Sequence, residues 1–285
     1  MTSRALAAGS VTDTAVSIIT PPKSFIELDL AELWRFRELL FIFAWRDLKV
    51  RYKQTALGLA WALFQPFITM VVFTFFFGRF LGDAVGGVPY PVFVFLGLVF
   101  WNYFSQSLSA SSGSLVEHEN IIKKVYFPRL LIPIASTLAH LVDFVIALVI
   151  LGGIVAFFHI TPALVGVALL PVLLLTTFLT AIGVGLFLAA INVKYRDVRY
   201  VVPFFIQLLL FVTPVIYPAA IIGEAQRWLL VLNPVAGVIE TARASILTGV
   251  VPWSTLGIAL AISLTYALAG LAYFRRTERF FADVI

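Results

Sequence analysis

Apolar residues gather in six long runs separated by short polar clusters. The runs cover about Leu57–Leu81, Val92–Leu115, Leu130–Phe158, Ala163–Ile191, Tyr200–Tyr217 and Trp253–Phe274. A helix needs roughly 20 apolar residues to cross about 30 Å of hydrocarbon, so each run predicts a transmembrane helix. None shows the polar and apolar alternation of a barrel strand. Two further pieces, Ala219–Leu232 and Val235–Leu247, are too short to cross alone and meet at Asn233-Pro234. They predict a re-entrant or interfacial hairpin on the outer side, within Pro218–Leu247. Each piece carries an acid and a base three residues apart, Glu224 with Arg227 and Glu240 with Arg243. Ahead of the first run, Phe41, Trp45, Leu48 and Tyr52 recur at helical spacing, flanked by Arg46, Lys49, Arg51 and Lys53. That pattern predicts a helix lying in the membrane interface over residues 25–53, its basic side chains reaching the headgroups.

Composition agrees. Apolar residues make up 61% of the chain and charged ones 12%, against about 45–50% and about 25% in soluble domains. The fold class is therefore all-α integral membrane, with six spans, the interfacial helix, and the outer hairpin before the last span. Residues 1–24 are rich in Ala, Ser and Thr, without a signal-peptide core, and are expected to form a disordered cytoplasmic tail. Residues 25–285 form a single transmembrane domain. The net charge of +5 sits in clusters between the apolar runs, which fits membrane orientation better than nucleic-acid binding. With both termini inside, the arginines and lysines of residues 35–53, 123–129, 194–199 and 275–279 are cytoplasmic. Arg79, Arg227 and Arg243 are left at the outer face.

Candidate chemistry is sparse. No glycine precedes a lysine, so a phosphate-binding loop is absent and an ATPase is not expected on this chain. The histidines His118, His140 and His159 lack metal-ligand spacing, and no cysteine is present, so no metal site or cofactor is expected. His140 and Asp143 are the ionisable residues deep in a span, and mutual or interhelical pairing accounts for them more simply than a proton relay. Between the second and third runs, Glu117–Arg129 predicts a short helix. Glu117 and Glu119 lie at its start, Lys123 and Lys124 further on, and Pro128 ends it. Its apolar side chains Ile121, Ile122, Val125 and Tyr126 have no membrane to bury them, so the segment suits docking in a partner's cleft.

Three ordered motifs carry a resemblance. RDLKVRYKQTALGLAWALFQPF at residues 46–67, IIKKVYFPRLLIPIA at 121–135 and NPVAGVIETAR at 233–243 resemble the permease subunit of bacterial ATP-binding-cassette polysaccharide exporters. These transporters move O-antigen, capsule or teichoic acid chains. The resemblance runs from about Phe25 to the C-terminus. It implies a homodimer in the bacterial inner membrane, bound to two copies of a separate ATPase that holds ATP and Mg, with lipid-linked polysaccharide as cargo. It further implies that residues 117–129 contain the coupling helix, with Glu117, Ile121, Ile122, Lys123, Tyr126 and Arg129 facing the ATPase, and that residues 218–247 are outer gate helices. Aromatic residues are 15% of the chain, and Trp61, Phe64, Tyr103, Phe204 and Phe211 are candidates to line a glycan path by stacking on sugar faces. An export permease for a drug, or for a lipid without a glycan, is the alternative. A proton-coupled carrier would need more buried acids, and a membrane transferase would need clustered histidines or carboxylates.

Overall fold

The computed structural model describes residues 30–53, 58–195, 197–279 and 281. The tail expected over residues 1–24 lies outside them. The chain begins with α1 (Leu30–Arg35), α2 (Arg37–Lys53) and α3 (Gly58–Leu81). There follow α4 (Tyr90–Glu117), α5 (Glu119–Ile122), α6 (Leu131–Ala139), α7 (Leu141–Phe157) and α8 (Leu164–Lys194). The order closes with α9 (Val198–Val212), α10 (Arg227–Val231), α11 (Pro234–Arg243) and α12 (Trp253–Glu278). Among the described residues α3, α4, the α6–α7 pair, α8 and α12 are long and apolar enough to cross a membrane.

Successive crossings give the bundle two ends. One, the basic end, carries α2, residues 118–130, Lys194–Arg199 and the last turn of α12. The other, the hairpin end, carries residues 82–90 and 159–163 and the segment from Pro218 to Val251. α4 is the axis: 78% of its apolar stretch is buried within the chain, against 6% for α3, which is peripheral. Leu96, Phe100 and Tyr103 on α4 pack with Phe144 and Leu151 of α7 and Val238 and Ile239 of α11. A second apolar cluster at the basic end joins Phe43 of α2 to Phe127, Leu130 and Ile132, to Leu186 and Ala189 of α8, and to Phe274 of α12.

Small residues bring α8 and α12 together. A Cβ on Gly270 would stand 1.9 Å from the Gly183 carbonyl oxygen, so the two backbones touch there. Thr180 and Ser263 hydrogen-bond across the same seam at 2.8 Å. Lipid offers no hydrophobic drive for helix association, and close approach of this kind replaces it.

The fifth span is shorter than the sequence predicts. α9 stops at Val212 and is 15 residues long, or about 22 Å, so Tyr200–Tyr217 is not one helix. The cause is Pro214, which disfavours helical geometry at the residue before it; Thr213 turns extended, with ψ 132°. In hydrocarbon the carbonyls freed there need internal donors. Tyr217 supplies one by donating to the Phe211 oxygen at 2.7 Å.

The predicted hairpin forms, with its break at Asn233-Pro234. The segment Glu224–Val231 and the segment Pro234–Thr248 are bent by 100° there. Asn233 caps α11: its side-chain oxygen accepts from Val235 N and its amide donates to Thr213 Oγ1 at 2.7 Å. Pro234 takes the first helical position, where its missing N–H costs nothing. The segment enters beside the start of α4, where Tyr90 donates to the Ile216 oxygen at 2.7 Å. It leaves beside the start of α8, where Ala163 N donates to the Ile246 oxygen at 2.9 Å. Both contacts lie at one end of the bundle, so the hairpin is re-entrant and does not cross.

Candidate functional site

Two polar constellations stand out against the apolar bundle, one at each end. At the basic end α2 lies along α6. Its stripe Phe41 and Trp45 faces away from the chain, the two rings stacked 6.3 Å apart, as an interfacial helix requires. The opposite stripe, Phe43, Asp47 and Arg51, faces the bundle. Phe43 is buried with its ring 5.4 Å from that of Phe127. Asp47 lies 3.6 Å from His118 Nε2 and accepts from Ser136 Oγ at 3.3 Å. Arg51 forms an ion pair with Asp143 and meets His140 Nε2, while the Tyr52 hydroxyl donates to the second Asp143 oxygen. Burial, reinforced by the Asp143 carboxylate, pushes the Tyr52 phenol well above its ordinary range, so it remains a donor.

Two expectations for α2 are thereby corrected. Arg51 does not reach for headgroups, because a carboxylate and an imidazole on the third span take its guanidinium. Arg46 lies along the bundle too, on Asp47 at 3.0 Å and over the Phe43 ring. Lys49 and Lys53 are exposed, as expected. His140 and Asp143 prove to be joined through Arg51, in a break of the third span where α6 passes into α7. The partner lies 92 residues away in sequence, which is why inspection of the span alone did not find it.

The segment expected to dock is a single turn of helix, α5, continued by a turn to Val125. Its apolar side chains divide. Ile121 and Ile122 pack against the Phe43–Phe127–Leu130 cluster, while Val125 and Tyr126 point outward, Val125 at 58% exposure. Glu117, Lys123 and Lys124 are exposed, with Lys123 paired to Glu119. Arg129 turns away from this tip, donates to the Glu278 carbonyl at 2.7 Å and covers the Phe281 ring. Arg129 therefore fastens the segment to the end of α12 and is not part of an exposed docking face.

At the hairpin end Arg243 overturns its expected place at the outer surface. Its side chain is buried and does not meet Glu240. Nε donates to the Phe93 carbonyl at 3.1 Å, Nη1 to Pro214 at 2.6 Å and Nη2 to Val215 at 2.6 Å. The guanidinium carbon stands 3.5 Å from the centre of the Phe93 ring. Two of these carbonyls lie in the turn that follows α9, and the third is on α4. Arg243 thus pins the hairpin to two spans at once. Gly97 makes room, since a Cβ there would sit 2.6 Å from Nη2. Glu240 is exposed, and with Arg227, Asn233 and Thr255 it lines a cleft of about 380 Å³ between the hairpin and α12. Glu224 and Arg227 do pair, at 3.9 Å, with both side chains exposed.

The aromatic candidates separate as well. Phe204 and Phe211 on α9 are 58% and 62% exposed, and Phe64 on α3 is exposed. Tyr103 is 2% exposed, packed edge-on against Phe144, and belongs to the core instead of a path wall. The side chain of Trp61 lies outside the described residues. α3 and α9 flank α4 and each leaves an aromatic face uncovered by its own chain. Tyr52, expected on the interfacial stripe with Phe41 and Trp45, instead turns to Asp143. The roles of Asp47, His118, Gly97 and Phe93 were missed by sequence reasoning; an acid within a basic helix is the one signal that could have pointed to Asp47.

The sequence profile of the family described as ABC-2 type transporter matches residues 38–247. The chain is 29% identical over 257 residues to the O-antigen export system permease protein RfbA of Myxococcus xanthus, covering 89% of this chain and 98% of that one. It is 27% identical over 248 residues to a protein of the same name from Klebsiella pneumoniae, covering 87% and 95%. With the polysialic acid transport protein KpsM of Escherichia coli it shares 22% identity over 246 residues, covering 85% and 93%.

Proposed function

Because the chain belongs to the ABC-2 type transporter family, we propose that it is the permease subunit of an ATP-driven exporter of lipid-linked polysaccharide, of the O-antigen kind. One observation carries the reading. Relatives named for O-antigen export and polysialic acid transport align over 93–98% of their own length and 85–89% of this chain. Two copies of the permease and two of a separate ATPase make the working unit, and ATP and Mg bind on the ATPase. The membrane is the bacterial inner membrane, with the basic end and both termini in the cytoplasm. The tip at Val125 and Tyr126 meets the ATPase. Phe64, Phe204 and Phe211 supply weak stacking contacts for a polymer that must slide, as a conduit requires binding that does not hold.

A single engineered thiol tests both orientation and docking, because the chain contains no cysteine. In a Val125→Cys variant, a membrane-impermeant maleimide is expected to react in inverted vesicles and not in intact cells. Adding back the ATPase is expected to slow that reaction by roughly tenfold or more, as burial in an interface does. Labelling in intact cells would reverse the topology, and labelling indifferent to the ATPase would remove the docking site.

A further inference from the structure

We propose that Asp143 is the positioning residue of the first span, and that it acts through Arg51 and Tyr52. Both oxygens of its carboxylate are taken by the last turn of α2, one by the Arg51 guanidinium and one by the Tyr52 hydroxyl. His140, one turn away on the same span, completes the clasp. Its Nδ1 lies 2.8 Å from the Ser136 carbonyl, which only accepts, so Nδ1 carries the proton. Nε2 is then a lone pair facing Arg51, which only donates. Every group in the clasp therefore has a complementary partner.

The position of the clasp gives it a consequence. α2 ends at Lys53 and α3 begins at Gly58, so whatever holds Arg51 and Tyr52 sets where the first span starts. α3 packs along α4 and α7 but buries few side chains there. Between Phe64 and Leu81 only Pro66 and Met70 are buried. Pro66 also withdraws one backbone hydrogen bond from the basic-end part of the helix. One turn earlier on α2, Asp47 engages His118, which is the root of the Glu119–Arg129 segment. α2 is thus fastened at one turn to the docking segment and at the next to the third span. A shift of the docking segment reaches the first span through α2, and Asp143 is the fulcrum. A carboxylate at the edge of an apolar span is costly unless it is paired, and here α2 takes both of its oxygens.

The transmission half of this inference rests on the proposed function; the clasp itself does not, and the experiment separates them. Met70 is the buried face of α3 against the core, so a Met70→Cys variant of the assembled transporter reports whether α3 lifts. Adding Asp143→Asn is expected to speed reaction with a membrane-permeant maleimide about fivefold, by local opening, and to abolish coupled export. Asp143→Glu, which keeps a carboxylate for Arg51 and Tyr52, is expected to retain both the slow labelling and export. Should Asp143→Asn accumulate poorly, Tyr52→Phe removes only one hydroxyl and is expected to speed labelling in part. Unchanged labelling in Asp143→Asn or Tyr52→Phe, or an Asp143→Glu variant that keeps neither readout, would overturn the proposal. Slow labelling in Asp143→Glu together with export of a cargo other than a glycan would leave the clasp standing and refute the substrate.

Discussion

Arg243→Met is expected to destabilise the permease by about 3–5 kcal/mol, because three backbone carbonyls buried in the bundle lose their donor together. For a domain of this size that is a fall of about 10 °C in the unfolding midpoint. Methionine keeps the length and an apolar stem, so the loss is that of the hydrogen bonds together with the cation–π contact on Phe93. Arg243→Lys recovers part of the stability, since an ammonium lacks the planar fork that reaches Pro214 and Val215 at once. Glu240→Gln is the control. If Arg243 paired with Glu240, as its spacing predicts, both variants would lose comparable stability. The carbonyl cradle predicts that Glu240→Gln stays within about 0.5 kcal/mol, as exposed substitutions do. Intrinsic-fluorescence melting of the three purified variants decides between the two.

Gly270→Ala carries the second large effect, and its sign is the test. In an exposed helix, alanine in place of glycine gains about 1 kcal/mol of helix propensity. At residue 270 the added methyl would meet the Gly183 carbonyl oxygen at 1.9 Å, an obstacle of backbone that no rotamer change relieves. α8 and α12 must separate, and the Thr180–Ser263 hydrogen bond goes with them. The expected cost is about 3 kcal/mol, at the upper end for overpacking. Gly257→Ala lies on the same helix with no atom within 4 Å of its Cβ and is expected to be neutral or stabilising. Size-exclusion profiles of the detergent-extracted variants, read as the fraction that is monodisperse, give the comparison. A monodisperse Gly270→Ala protein would contradict the close seam.

The spans were legible because membrane thickness imposes a length that apolar runs cannot disguise. Five of the six runs are single long helices, or one helix with a break, close to the predicted limits. The fifth run, Tyr200–Tyr217, failed at its end, where Pro214 outweighed hydrophobicity. Which helix is central was not legible. In a membrane, lipid-facing and protein-facing positions are equally apolar, so periodicity could not tell that α4 is buried and α3 is not. Tyr103 was misplaced on the path for that reason. The polar constellations were half legible. Asp143 and His140 announced themselves as charges in a span, and Asn233-Pro234 as a break. Their partners did not, because local spacing rules pair Arg243 with Glu240 and assign Arg51 to headgroups. Tertiary structure offers each a better acceptor far along the chain.

The account rests on polysaccharide being the cargo. The most direct measurement uses inverted inner-membrane vesicles containing the permease and its ATPase, supplied with lipid-linked glycan and, separately, with a hydrophobic dye. ATP-dependent movement of the glycan into the vesicle lumen, with the dye left behind, is the predicted result. ATP-dependent accumulation of the dye with the glycan unmoved would contradict it.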